Sequence, residues 1–164
     1  SYYVLYLTAL NYDLAAAGLM FAIAMVIAVP MRIFWGWLSS GRVAPRRVMA
    51  GLSLGMAASA ALMSLYGADW HPLLIAAIAT VMSATAMSWH GVLLSEAARL
   101  APPGMRGAAT GGVLSFGQVG AFILPVIYAA QLAVTNSHGM GFLLCGAPAL
   151  VVGIVLWRAS ARAV

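Results

Sequence analysis

Lysine is absent from this 164-residue chain, and charged residues of all kinds make up only 7% of it. Asp13, Asp69 and Glu96 are its only acids, against eight arginines, for a net charge of +5. A soluble domain carries about 25% charged residues and about 45–50% apolar ones. Here 64% of residues are hydrophobic and the mean hydropathy is +1.00, so polar surface is too scarce to cover the fold in water. That excludes an ordinary soluble domain and makes lipid the solvent. The single cysteine, Cys145, excludes a disulfide framework and sits in an apolar run as a small hydrophobe. No His/Cys set has metal-ligand spacing, no glycine loop fits a phosphate and no pair of residues suggests heme, so neither cofactor nor metal is expected. The arginines punctuate hydrophobic runs instead of forming a basic stripe, which argues against a nucleic-acid partner.

What is present is a series of long apolar runs. At roughly 20 residues per spanning helix, the length accommodates five or six spans in one all-α membrane bundle. The run from Tyr2 to Asn11 is about half the length needed to cross. The start, Ser1-Tyr2-Tyr3-Val4, has neither a basic leader region nor a cleavage site, so a truncation within an apolar segment is expected. Residues 1–11 are then a stub, followed by helices at about 14–38, 48–66, 72–98, 107–132 and 140–157. Asp13 is suited to cap the first of these and Pro72 to open the third. Five crossings place Arg42, Arg46, Arg47, Arg99, Arg106, Arg158 and Arg162 on one side of the bilayer. Asp13, Asp69, His71 and His138 fall on the other. The positive-inside bias assigns the arginine side and the C-terminus to the cytoplasm, in a plasma membrane of bacterial type.

The stretch from Arg32 to Val48 contains Gly36-Trp37-Leu38-Ser39-Ser40-Gly41-Arg42-Val43-Ala44-Pro45-Arg46-Arg47. It resembles the G-x-L-x-D-R-x-G-[P]-R-R loop of the major facilitator superfamily through Gly36, Leu38, Arg42, Pro45, Arg46 and Arg47. Ser40-Gly41 stands where the family has its acid, with one residue inserted. Glu96 to Gly107, with Pro102, Pro103 and Arg106 between, is similar to a second family loop, E-x(n)-P-x(n)-R-G. Their order and common side imply the C-terminal half of a twelve-helix transporter whose first helix is truncated, from the end of helix seven to helix twelve. The resemblance implies alternating access around a site near the midplane. It also implies a missing N-terminal half of the same chain as partner, and switch-loop roles for Gly36, Arg42, Arg46, Arg47, Glu96 and Arg106.

Three embedded polar residues are candidates for substrate binding. Arg32 is about one turn inside the arginine-side end of its helix. It either grips an anionic small-molecule substrate with its planar fork or snorkels to the headgroups. An arginine there resembles that of the nitrate and oxalate–formate branches, which makes a small organic or inorganic anion the expected cargo. His90 either contacts substrate or a proton, or bonds a neighbouring helix. Gln118 offers the same pair of readings. Glu96 and Arg106 form either a state-dependent ion pair or a solvated one. Gly51/Gly55 and Gly107/Gly111 have the small-xxx-small spacing that lets helices approach closely. Gly51-Leu52-Ser53-Leu54-Gly55 also spells G-x-S-x-G, leaving an intramembrane hydrolase using Ser53 and His90 as an alternative, with a non-transporting helical scaffold as a third.

Overall fold

In the computed structural model, residues 2–41, 43–67 and 69–161 are described; Arg42 and Arg162 lie outside them. Among these residues the chain is entirely helical in its regular structure. The helices are α1 (Tyr2–Ala9), α2 (Leu14–Ser39), α3 (Pro45–Ser64), α4 (Pro72–Ala86), α5 (Trp89–Leu100), α6 (Arg106–Thr135) and α7 (His138–Ala161). Five stretches are long and apolar enough to cross a bilayer, with α4 and α5 together forming the span Pro72–Leu100. The 26 residues of α2 reach about 39 Å at 1.5 Å per residue, more than a hydrocarbon core of about 30 Å.

Local chemistry accounts for the ends. The Asp13 carboxylate accepts from the Ala15 N–H at 3.1 Å and starts α2. His71 accepts from the Leu73 N–H through Nδ1, and Pro72 occupies the first turn of α4. Pro45 does the same for α3, which therefore begins before Val48 and carries Arg46 and Arg47 in its first turn, not in a loop. Asn136 terminates α6 in the left-handed region at φ 52°, its N–H returning to the Leu132 carbonyl.

Apolar residues cover most of the outside. Of the 30 residues in α6 only Tyr128 is buried, while Phe116 and Phe122 are about four-fifths exposed (83% and 77%). In water such a surface would aggregate; against acyl chains it is the expected one.

Two cores hold the helices. At the acidic end, Tyr3, Tyr6, Leu7, Met63, Tyr66 and Ile75 are buried together. Tyrosine hydroxyls tie this core to backbone carbonyls: Tyr6 donates to Tyr66 at 3.2 Å, Tyr66 to Ile75 at 3.0 Å, and Tyr12 to Trp70 at 3.2 Å. Burial holds the Tyr66 phenol well above its ordinary pKa, so it stays a donor. Tyr6 also stacks on His138, whose Nδ1 meets the Tyr128 hydroxyl at 2.9 Å. The smaller core, at the arginine end, joins Val48, Leu52 and Val92, with Trp35 and Trp89 packed against it.

The most extensive helix pairing is that of α3 with α7. Gly139, Gly146 and Gly153 recur at seven-residue intervals and so share one face of α7. A Cβ on them would meet the Ser64 carbonyl oxygen at 2.5 Å, the Ala60 Cβ at 2.7 Å and the Leu54 side chain at 2.8 Å, respectively. The partners descend α3 as the glycines ascend α7, so the two backbones run antiparallel in near contact. The glycine pairs singled out by four-residue spacing behave differently. Gly55 does face Thr85, but a Cβ on Gly51, Gly107 or Gly111 would meet nothing within 4 Å among the described residues. Spacing identifies a shared helix face without saying whether that face is occupied. Gly139→Ala should therefore destabilise the detergent-solubilised protein by about 1–3 kcal/mol, while Gly51→Ala should leave its thermal midpoint unchanged or slightly raised. Equal midpoints for the two variants would refute the glycine contact.

Candidate functional site

The span expected as one helix over 72–98 is broken. α4 ends at Ala86 and α5 begins at Trp89, with Met87 and Ser88 between. No glycine or proline marks the break. Instead the Thr85 hydroxyl donates to the Val81 carbonyl at 2.9 Å and the Ser88 hydroxyl to Ala84 at 2.5 Å. Such back-bonding competes with the helical ladder and bends it. The Ser88 N–H then closes a tighter turn onto Thr85, and Ser88 gives α5 no side-chain cap.

The broken segment is where embedded polar residues gather. α2 continues to Ser39, so Arg32 lies seven residues, about 10 Å, inside its end. That is two turns, deeper than the single turn expected from sequence. Its Nη2 donates to the Met87 Sδ at 3.1 Å, joining α2 to the break. The guanidinium also lies close enough to His90, three residues on, to act on it electrostatically. His90 stacks on Trp89 with ring centroids 3.9 Å apart. Across from it, Gln118 comes from α6, and the two side chains line one pocket of about 50 Å³ with Trp89, Leu93, Val113 and Gly117. Among the described residues neither His90 nor Gln118 has a hydrogen-bond partner. The fold thus gathers Arg32, His90 and Gln118 from α2, α5 and α6 around one discontinuity.

Sequence reasoning missed Met87, Trp89 and the break itself. The cluster of hydroxyls at Ser83, Thr85 and Ser88 was the available signal. It also missed a larger cavity of about 520 Å³ at the N-terminal end of α1. Methionines and aromatics such as Met25, Met82, Met87 and Tyr128 line it, Cys145 borders it, and the buried Tyr3 hydroxyl beside it has no partner. Among the described residues, none that lines that cavity is charged. Arg32 and the polar edge of the smaller pocket offer the more specific chemistry.

The basic end holds the other expected residues. Glu96 is buried, and Arg99 grips both its oxygens at 2.7 Å through Nε and Nη2. Its partner is therefore Arg99, three residues along the same helix, and not Arg106, which is exposed at the start of α6. Arg46 in the first turn of α3 lies within electrostatic reach of the same carboxylate. Gly36 faces open space, and Arg47 is exposed. Ser53 lies in the middle of α3, without the strand-to-helix turn that exposes a serine nucleophile.

The pattern of the Major Facilitator Superfamily matches residues 1–163, essentially the whole chain. The chain belongs to the major facilitator superfamily. Comparison with curated proteins and with solved structures returns no match. Membership makes this an integral membrane protein of transporter type acting on a small molecule, not an enzyme. The break and its polar neighbours lie within the candidate spanning segments. With Cys145 replaced by serine, His90→Cys and Gln118→Cys should each react with a membrane-impermeant thiosulfonate. Leu52→Cys, at a fully buried position, should stay unlabelled under the same conditions. Equal labelling at all three would show that the small pocket is no special route for water.

Proposed function

We propose that this chain is the C-terminal half of a major facilitator transporter for a small anion, with Arg32 as the principal anion ligand and His90 and Gln118 as hydrogen-bonding partners. The observation that carries this reading is the partner of Arg32. A guanidinium has five N–H donors, yet here, among the described residues, its hydrogen bond goes to a thioether, which is a weak acceptor. A cation two turns inside an apolar span with most of its donors unused is costly unless it meets water or an anion. A carboxylate or similar oxyanion would replace the sulfur with two charge-assisted bonds. The snorkelling alternative is disfavoured by a side chain held across to Met87 of the neighbouring span. The planar, two-oxygen demand of the fork makes lysine a poor substitute.

The same reading assigns the arginine end, with Arg46, Arg47, Arg99, Arg106 and Arg158, to the cytoplasmic face of a bacterial plasma membrane. Glu96 sits buried among Arg99 and Arg46, so α5 supplies a carboxylate to the loop region where Ser40-Gly41 replaces the family acid. We assign Gly36, Arg42, Arg46, Arg47, Glu96 and Arg106 to the switch that changes contacts between inward- and outward-open states. The other wall of the path comes from the N-terminal half of the transporter, and transport needs both.

In proteoliposomes holding the complete transporter, Arg32→Ala should lower uptake of the transported anion at least tenfold, about 1.4 kcal/mol or more. Arg32→Lys should restore only part of it. Undiminished uptake in both variants would remove Arg32 from the site.

A further inference from the structure

We propose that the pocket between α5 and α6 receives the apolar substituent of a small monocarboxylate, and that Gly117 sets the size of substituent admitted. This rests on the anion reading of Arg32 and narrows it to a substrate class.

The pocket is built by two facing stripes. On α5, Trp89 and Leu93 are four residues apart; on α6, Val113 and Gly117 are likewise, so each pair lies on one helix face. His90 and Gln118, each one position further along its helix, border the pocket on one side. His90, which lies within electrostatic reach of Arg32, and Gln118 give the pocket a polar edge, while Trp89, Leu93, Leu94, Val113 and Leu114 give it apolar walls. A carboxylate offers about four lone-pair sites. The Arg32 fork takes two, leaving others for His90 and Gln118, and the rest of the molecule is directed into the pocket past Gly117.

Charge and volume limit the class. Among the described residues Arg32 is the only arginine gathered at the break, so this half supplies a charge partner for one carboxylate, and a second one against these helices would be buried at considerable cost. An inorganic oxyanion would engage the polar edge and leave the apolar walls in contact with water. A cavity needs roughly 10–15 Å³ on this measure to hold one water. At about 50 Å³ the pocket therefore admits a group of a few heavy atoms, such as an ethyl or isopropyl group, and no aromatic ring. Gly117 is what leaves this room. A Cβ there would meet the Trp89 Cη2 at 3.5 Å, an ordinary contact, so alanine fits without displacing the indole. The two methyl groups of valine would occupy the pocket itself.

The experiment is competition for labelled acetate uptake by the complete transporter in proteoliposomes, using formate, propionate, isobutyrate, succinate and nitrate. The wild type should bind isobutyrate at least about tenfold more tightly than formate, since one methylene in an apolar site discriminates by about 10–200-fold. Succinate and nitrate should compete poorly. Gly117→Val should erase the preference for isobutyrate while leaving formate within about twofold, and Gly117→Ala, which fits the existing space, should reduce it part-way. Nitrate or succinate competing as well as isobutyrate in the wild type overturns the proposal. So does Gly117→Ala or Gly117→Val weakening all acids equally. Arg32→Ala separates the two levels. If it abolishes uptake while the glycine variants keep wild-type selectivity, the anion site stands and the pocket assignment falls. If all the acids are taken up normally by Arg32→Ala, the anion site falls.

Discussion

In hydrocarbon there is no water to satisfy a backbone amide, and every other feature of this fold depends on that. Each N–H and C=O within the bilayer must find a partner inside its own segment or on a neighbouring one. The chain answers with long helices of 20 to 30 residues, the eight-residue α1 and the broken span of α4 and α5 excepted. It also uses its few polar side chains almost entirely on backbone groups. Tyr6, Tyr12 and Tyr66 donate to carbonyls near the acidic end; Thr80, Thr85, Ser88 and Ser95 donate to carbonyls within their own span.

Against that background the exceptions are informative. Besides the unpartnered Tyr3 hydroxyl and Trp35 indole N–H, Arg32, His90 and Gln118 leave most of their hydrogen-bonding capacity unused among the described residues. They surround the one place where a spanning helix stops and restarts. Met87 belongs to both features, as the acceptor for Arg32 and as part of the joint. A solute that drew the guanidinium away would remove that one hydrogen bond between α2 and the joint.

Much of the fold was legible in the sequence because it is written in quantities that add along the chain. Hydropathy located the spans, and Asp13 and Pro72 marked helix starts. The features that escaped depend on choices between partners of similar local merit. Thr85 and Ser88 could have turned their hydroxyls elsewhere without changing the apolar pattern. Glu96 had Arg99 one turn away and Arg106 across a loop, and proximity within a helix prevailed. Gly107 and Gly111 match the packing spacing as well as Gly139 and Gly146 match theirs at seven residues. Only the three-dimensional placement of α3 distinguishes an occupied face from an empty one. For Arg32 the residue type was readable but its partner, 55 positions away, was not.

The glycine stripe on α7 has a mechanical consequence. Most helix pairs are separated by a layer of side chains whose rotamers can readjust, so one helix may slide or roll a little on the other. At Gly139, Gly146 and Gly153 α7 adds no side chain to that layer, and its backbone lies against the Ser64 carbonyl, the Ala60 methyl and the Leu54 side chain. A shear between α3 and α7 would drive atoms into one another at each of three heights. The pair therefore acts as a single stiff beam running from the acidic end to the arginine end. Shape change is left to elements that the beam does not bind so closely, namely the joint at Met87–Ser88 and the thinly packed α6. Both lead to polar groups: His90 follows the joint at the start of α5, and Gln118 lies on α6.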